Sequence, residues 1–166
     1  MSVGISLASD HQLARLLQIG VVLEEVAEAR AAKHASESSD IDAEVRELLE
    51  SAAEESAAHS DRLGTLVDEL DAEIVGFDEV ERLVEQQYEA DETFDGVLYD
   101  QLCNEETAYK FYDDLLTAIE SSEVQFSIDR DRLLGVLRDV RADEEEGVAA
   151  VTELMDRDPN RNRGRL

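Results

Sequence analysis

The chain is poor in sulfur, proline and lysine, and it has no long apolar runs. Cys103 is the single cysteine in 166 residues. One thiol cannot form an intramolecular disulfide, complete a structural zinc site or build a four-thiolate iron centre. Any metal would have to be held by carboxylates, imidazoles or phenols. Pro159 is the only proline, and there is no tryptophan. Proline breaks helices, so its scarcity beside abundant Ala, Leu and Glu favours an all-helical protein. No segment approaches the ~18 uncharged apolar residues of a membrane span. The first residues, MSVGISLASDH, carry no basic start and no long apolar stretch. No signal peptide is expected, and the expected compartment is the cytoplasm.

Positive charge is also scarce. Fifteen basic residues stand against 42 acidic ones, for a net charge of −27, and Lys33 and Lys110 are the only lysines. A direct nucleic-acid binder needs a basic footprint, and there is none. Such a charge repels itself strongly in ordinary cytosol. Molar salt shortens the screening length to about 3 Å and removes much of that cost. The acids run along the whole chain, which fits a protein from a salt-loving organism. The other reading is an acidic module that captures a basic partner.

Apolar residues make up 43% of the chain, too many for a disordered acidic tail and enough for one domain with a real core. Four long segments show helical periodicity. The first spans about 10–36, with a stripe that includes Leu13, Leu17, Gly20, Ala27 and Ala31. The second follows SSDID, a natural helix start with acidic residues in the first turn; its stripe includes Val45, Leu49, Leu63 and Leu66. The third spans about 95–121, through Leu98, Leu102, Tyr109, Tyr112 and Leu116. The fourth starts near Ser127 and ends before RDPN, through Leu133, Leu137, Val140, Val151 and Leu154. Short polar links join the first pair and the second pair, which makes antiparallel hairpins. About two dozen residues separate the pairs, with a short helix expected around 78–88. The expected organisation is an extension at 1–9, an antiparallel four-helix bundle at 10–155, and a disordered Arg-rich tail at 156–166. That tail could also tether to an acidic surface.

The two hairpins resemble each other. At an offset of 81, Leu17 meets Leu98, Val21 meets Leu102, and Ala27 meets Ala108. At an offset of 88, Val45 meets Leu133, Leu49 meets Leu137, and Leu66 meets Leu154. Two nearly equal offsets in order point to an internal duplication.

Three glutamates interrupt the apolar stripes. At 100° per residue, Glu24, Glu105 and Glu144 fall at the centres of the first, third and fourth stripes, and Ser56 and His59 at the centre of the second. A buried carboxylate must take up a proton or meet a cation. Three such carboxylates level with one imidazole suit a metal bound through oxygen and nitrogen, of the iron, manganese or zinc type. The competing reading is that a chain with 42 acids places some inward by chance. His34 is read as an end-of-helix cation and His11 as solvated.

With these residues in place, the chain from 10 to 155 resembles the ferritin-like superfamily, and most closely its rubrerythrin-like members. That family takes one glutamate from each of two helices and a Glu-x-x-His pair from each of the other two, around two ions. The resemblance implies Glu24 and Glu105 as the single glutamates. It places Ser56 to His59 in the first pair and Glu144 to Gly147 in the second. Each pair has lost one member: Ser56 stands where the family has glutamate, and Gly147 where it has histidine. The implied ligands are Glu24, His59, Glu105 and Glu144, with Glu55 and Tyr109 as further oxygen donors; Tyr109 also reads as a core residue. The implied cofactor is iron or manganese, as one ion or an asymmetric pair, with a redox or metal-handling role. The chain cannot form the family's cysteine-ligated iron domain, so a redox partner would be separate. A homodimer is expected by analogy. The rival expectation is a metal-free bundle that serves as an interaction or regulatory scaffold.

Overall fold

The computed structural model describes residues 7–37, 41–73, 78, 82 and 96–157. These residues form four long helices and no strand: α1 (Asp10–Glu37), α2 (Ala43–Glu69), α3 (Val97–Ser121) and α4 (Arg130–Arg157). Of the short helix expected around 78–88, Asp78 and Arg82 are described and are helical; its other residues and the tail from 158 lie outside the described residues. None of the described helices is long and apolar enough to cross a membrane.

Local chemistry sets the helix starts. Asp42 stands in extended conformation at the head of α2, and Glu44 in the first turn faces the positive end of the helix dipole. Gly96 precedes α3 with φ at 103°, a region that glycine enters without steric cost. α4 begins three residues later than its periodicity predicts. Asp129 supplies the cap, its Oδ2 accepting the Arg132 N–H at 3.0 Å. The residues ahead of it stay irregular, and Phe126 and Ile128 turn into the core.

The helices pack mainly as α1 with α2 and α3 with α4, and α1–α3 and α2–α4 contacts close the ring. Contacts between named residues fix the directions. Arg46 at the start of α2 donates to the Ala35 carbonyl at the end of α1. Arg138 and Arg141 of α4 reach Glu120 and Asp113 of α3, in reverse order. Arg30 of α1 pairs with Asp100 of α3, while Ser122, just past the other end of α3, donates to the Leu7 carbonyl. Every adjacent pair is therefore antiparallel. α2 and α3 run in the same direction, so the end of α2 and the start of α3 lie at opposite ends of the bundle.

The apolar core comes in two parts. One contains Leu13, Leu17, Leu63, Leu66, Leu115, Leu116, Leu133 and Leu137. The other contains Ala31, Val45, Leu49, Leu98, Val151 and Leu154. Each fully buried leucine contributes about 1.5–3 kcal/mol. Between the two parts lies a layer of buried polar side chains: Glu24, His59, Glu105 and Glu144, at most 7% exposed.

Candidate metal centre

Each helix delivers a polar group to this layer, and on α1, α2 and α4 it stands in the middle of a mainly apolar stripe. Glu24 lies between Val21 and Ala31 on α1, His59 between Leu49 and Leu63 on α2, and Glu144 between Val140 and Val151 on α4. One ligand atom from each of these three lies within 4.8 Å of the other two. His59 Nδ1 is 3.1 Å from Glu144 Oε1 and 3.4 Å from Glu24 Oε1. His59 Nε2 points the other way and meets Asp143 Oδ2 at 2.9 Å. Asp143 is the most exposed member of the group, at 40%. A carboxylate that holds one ring nitrogen fixes the orientation of the imidazole and leaves the other nitrogen for a metal.

Glu24 is anchored from α3. The Tyr112 hydroxyl donates to Glu24 Oε1 at 2.6 Å. Gly20, one turn earlier on α1, allows that approach: a Cβ there would stand 3.2 Å from Phe111 and 3.7 Å from the Tyr112 ring. The second oxygen, Glu24 Oε2, is buried and has no hydrogen-bond partner. An orphaned carboxylate oxygen in a core is costly, and a cation removes that cost.

The electrostatics describe a cluster that retains protons in the absence of a cation. Burial alone would lower the His59 pKa, but its hydrogen bonds to Glu144, Glu24 and Asp143 prevail and raise it to about 11. The ring is then an imidazolium that donates from both nitrogens. Burial pushes the Glu144 pKa up, His59 opposes this, and the neighbouring Glu105 and Glu24 reinforce it. Burial also raises Glu55, to about 7, with Asp143, Glu105 and Glu24 adding to the rise and His59 opposing it. Two carboxylates and a neutral imidazole carry two negative charges, which a divalent ion would balance.

Glu105 approaches this trio indirectly. Its carboxyl group hydrogen-bonds with Glu144 and accepts from Gln101 Nε2 at 2.8 Å. It lies against the backbone of α4 at Gly147, where a Cβ would stand 2.5 Å from Glu105 Cδ. The position that the resemblance assigns to a second histidine is thus filled by Glu105. Glu55 is half-buried and acts on the cluster through its charge. Tyr109 is half-buried, and the phenol that reaches a glutamate is Tyr112, one turn further along α3. Helical spacing could not separate these two tyrosines, because both fall on the α3 stripe. Asp143 was missed as well: it adjoins Glu144 on the flank of the stripe, where an acid looks solvated. His34 stands in the last turn of α1, as its end-of-helix reading expects, and also meets Asp100 at 2.8 Å beside Arg30, in a separate polar cluster between α1 and α3.

The chain matches no family model, no curated protein and no solved structure.

Proposed function

We propose that the chain is a metal-binding bundle of the ferritin-like kind, with one divalent ion held by Glu24, His59 and Glu144. Iron and manganese fit this mixed carboxylate–imidazole set best. The observation that carries the reading is the buried, partnerless Glu24 Oε2 beside an imidazole whose far nitrogen is already held by Asp143. The bound ion would supply positive charge and, as iron or manganese, one-electron redox capacity in a buried site. The protein's part would be to orient His59 through Asp143, anchor Glu24 through Tyr112, and exclude bulk water. With Glu105 over Gly147, a single-ion site is favoured over a pair. The acidic surface is consistent with work in high salt, so the test belongs there. Anaerobic titration with Fe(II) or Mn(II) in molar salt should show about one tight site per chain, lost in His59→Ala and Glu144→Ala. Absence of binding, or undiminished binding by both variants, would overturn the proposal.

One observation favours a second reading, a metal-free scaffold. His59 already has three carboxylate neighbours, and Glu105 and Glu144 already bond to each other. In that reading a shared-proton network replaces the ion, and the bundle serves as an interaction surface. It predicts a folded protein whose stability is unmoved by either metal.

A further inference from the structure

Among the described residues, the buried side-chain atoms without a hydrogen-bond partner belong to three residues: Glu24 Oε2, Gln101 Oε1, and both Oδ1 and Nδ2 of Asn104. They are not scattered. Gln101 and Asn104 lie one turn apart on α3, and Glu24 lies on α1, which packs antiparallel to α3. Gln101 and Asn104 are 3% and 4% exposed. Native proteins satisfy nearly all such groups, so three carboxamide atoms orphaned within one turn call for a partner.

The surroundings indicate what that partner is. Asp100, Gln101, Asn104 and Glu105 form a buried polar stripe along α3. Positions three and four apart are neighbours on a helix surface, so Asn104 adjoins Asp100, Gln101 and Ala108. At one end of the stripe, Asp100 binds Arg30 and His34, whose side chains are 24% and 29% exposed. At the other end, Glu105 bonds to Gln101 and Glu144 and so joins the candidate metal centre. The orphaned carboxamides hold two acceptors, Gln101 Oε1 and Asn104 Oδ1, and one donor, Asn104 Nδ2. Water can donate to the first and accept from the second, and it occupies buried sites where two to four polar partners converge.

We propose that the α1–α3 seam holds a file of ordered water, bound by Gln101 and Asn104, that connects the surface at Arg30 and His34 to the buried carboxylates. The water assignment rests on the orphaned carboxamides alone. Its role as the route by which metal ions and protons reach the centre rests on the metal-binding reading above. On the opposite side the His59 ring stands between Asp143 and the other ligands, so the seam is the polar approach that the imidazole does not close.

Two measurements on the full chain test this. A high-resolution crystal structure of the chelated protein should show ordered water within hydrogen-bonding distance of Gln101 Oε1 and of both Asn104 atoms. Direct pairing of these atoms with protein groups, or a cation among them, overturns the proposal whether or not the centre binds metal. Stopped-flow loading with Co(II) then tests the route. Asn104→Leu keeps the volume but removes the polar atoms; it should load severalfold more slowly with unchanged equilibrium affinity. Asn104→Ser, which can still hold water, should load at the native rate. Equal loading rates in all three proteins overturn the route. Failure of the native protein to bind Co(II), Fe(II) or Mn(II) overturns both the route and the metal reading, and leaves the water file to be decided by the crystal structure.

Discussion

Gly147→Ala offers a sharp test because two physical effects oppose each other there. Alanine in a helix interior is favoured over glycine by about 1 kcal/mol, so propensity alone predicts a more stable protein. The packing predicts the reverse. The new Cβ would stand 2.5 Å from Glu105 Cδ and 2.8 Å from Glu105 Oε1, too close for the side chain to stay where it is. Glu105 is buried and bonded to Gln101 and Glu144, so it cannot swing away freely. Loss of these hydrogen bonds inside the bundle costs about 1–3 kcal/mol each. After subtracting the propensity gain, the net destabilisation is about 1–5 kcal/mol. For a chain of this size each kcal/mol lowers the melting temperature by roughly 2–4 °C. The assay is thermal and urea unfolding of the chelated protein in molar salt. Gly64→Ala and Gly135→Ala are the controls, since a Cβ at either position meets nothing within 4 Å; both should be stabilising. The double variant Gly147→Ala/Glu105→Ala should cost less than the sum of its parts, because the clash and its victim disappear together. If Gly147→Ala is as stable as the native protein, or more so, Glu105 does not occupy the space over Gly147 and the account of that position fails.

Three further outcomes follow from the same layer. Asp143→Asn should weaken metal binding by about 10–100-fold while the fold is retained, since it replaces the carboxylate that orients His59; native affinity measured by competition with a chelator would remove Asp143 from the site. Tyr112→Phe deletes a buried hydrogen bond to Glu24 and should cost about 1.5–3 kcal/mol in urea unfolding; a loss below that range would mean Glu24 is held by other means. The chelated protein should become less stable as pH rises. His59, Glu144 and Glu55 all have pKa values raised by folding, so their contributions are complete below their ordinary values and fade as pH climbs. The Glu55 contribution is lost between about 4.5 and 7 and that of His59 between about 6.5 and 11, so the melting temperature in molar salt should fall from pH 5 to pH 9. A melting temperature that is flat or rises over this range contradicts the proton-retaining cluster.

The helices were readable because their apolar residues recur at the helical period, and because a lone proline and short polar links leave few other folds. Glu24, His59, Glu105 and Glu144 stood out for the same reason: a charge in the centre of a stripe breaks a pattern that is otherwise kept. Features that depend on distances between helices were not readable. Choosing Tyr112 over Tyr109 requires the closeness of α1 and α3 at Gly20. Asp143 gains its role only when α2 brings His59 beside it. Gly147 looked like a lost ligand, and the structure shows it as room made for Glu105. The α4 start was misplaced by three residues because Phe126 and Ile128 continue the apolar pattern while turning into the core from a loop.

The polar layer between the two apolar clusters also bears on how the bundle selects its own alignment. Leucine-rich stripes are nearly interchangeable, and a helix of Leu, Ala and Val can slide by one or two turns at little cost. Here such a slip on any one helix would drive a carboxylate or an imidazole into leucine and strand its partners on the other helices. Helices 25 to 28 residues long are thereby held at one vertical setting by this level of contacts, together with the Asp100 pairing to Arg30 and His34 nearer one end. Replacing Glu24, His59, Glu105 and Glu144 together with apolar residues of similar size is therefore expected to give a chain that melts higher but settles into several stackings, visible as multiplied side-chain resonances.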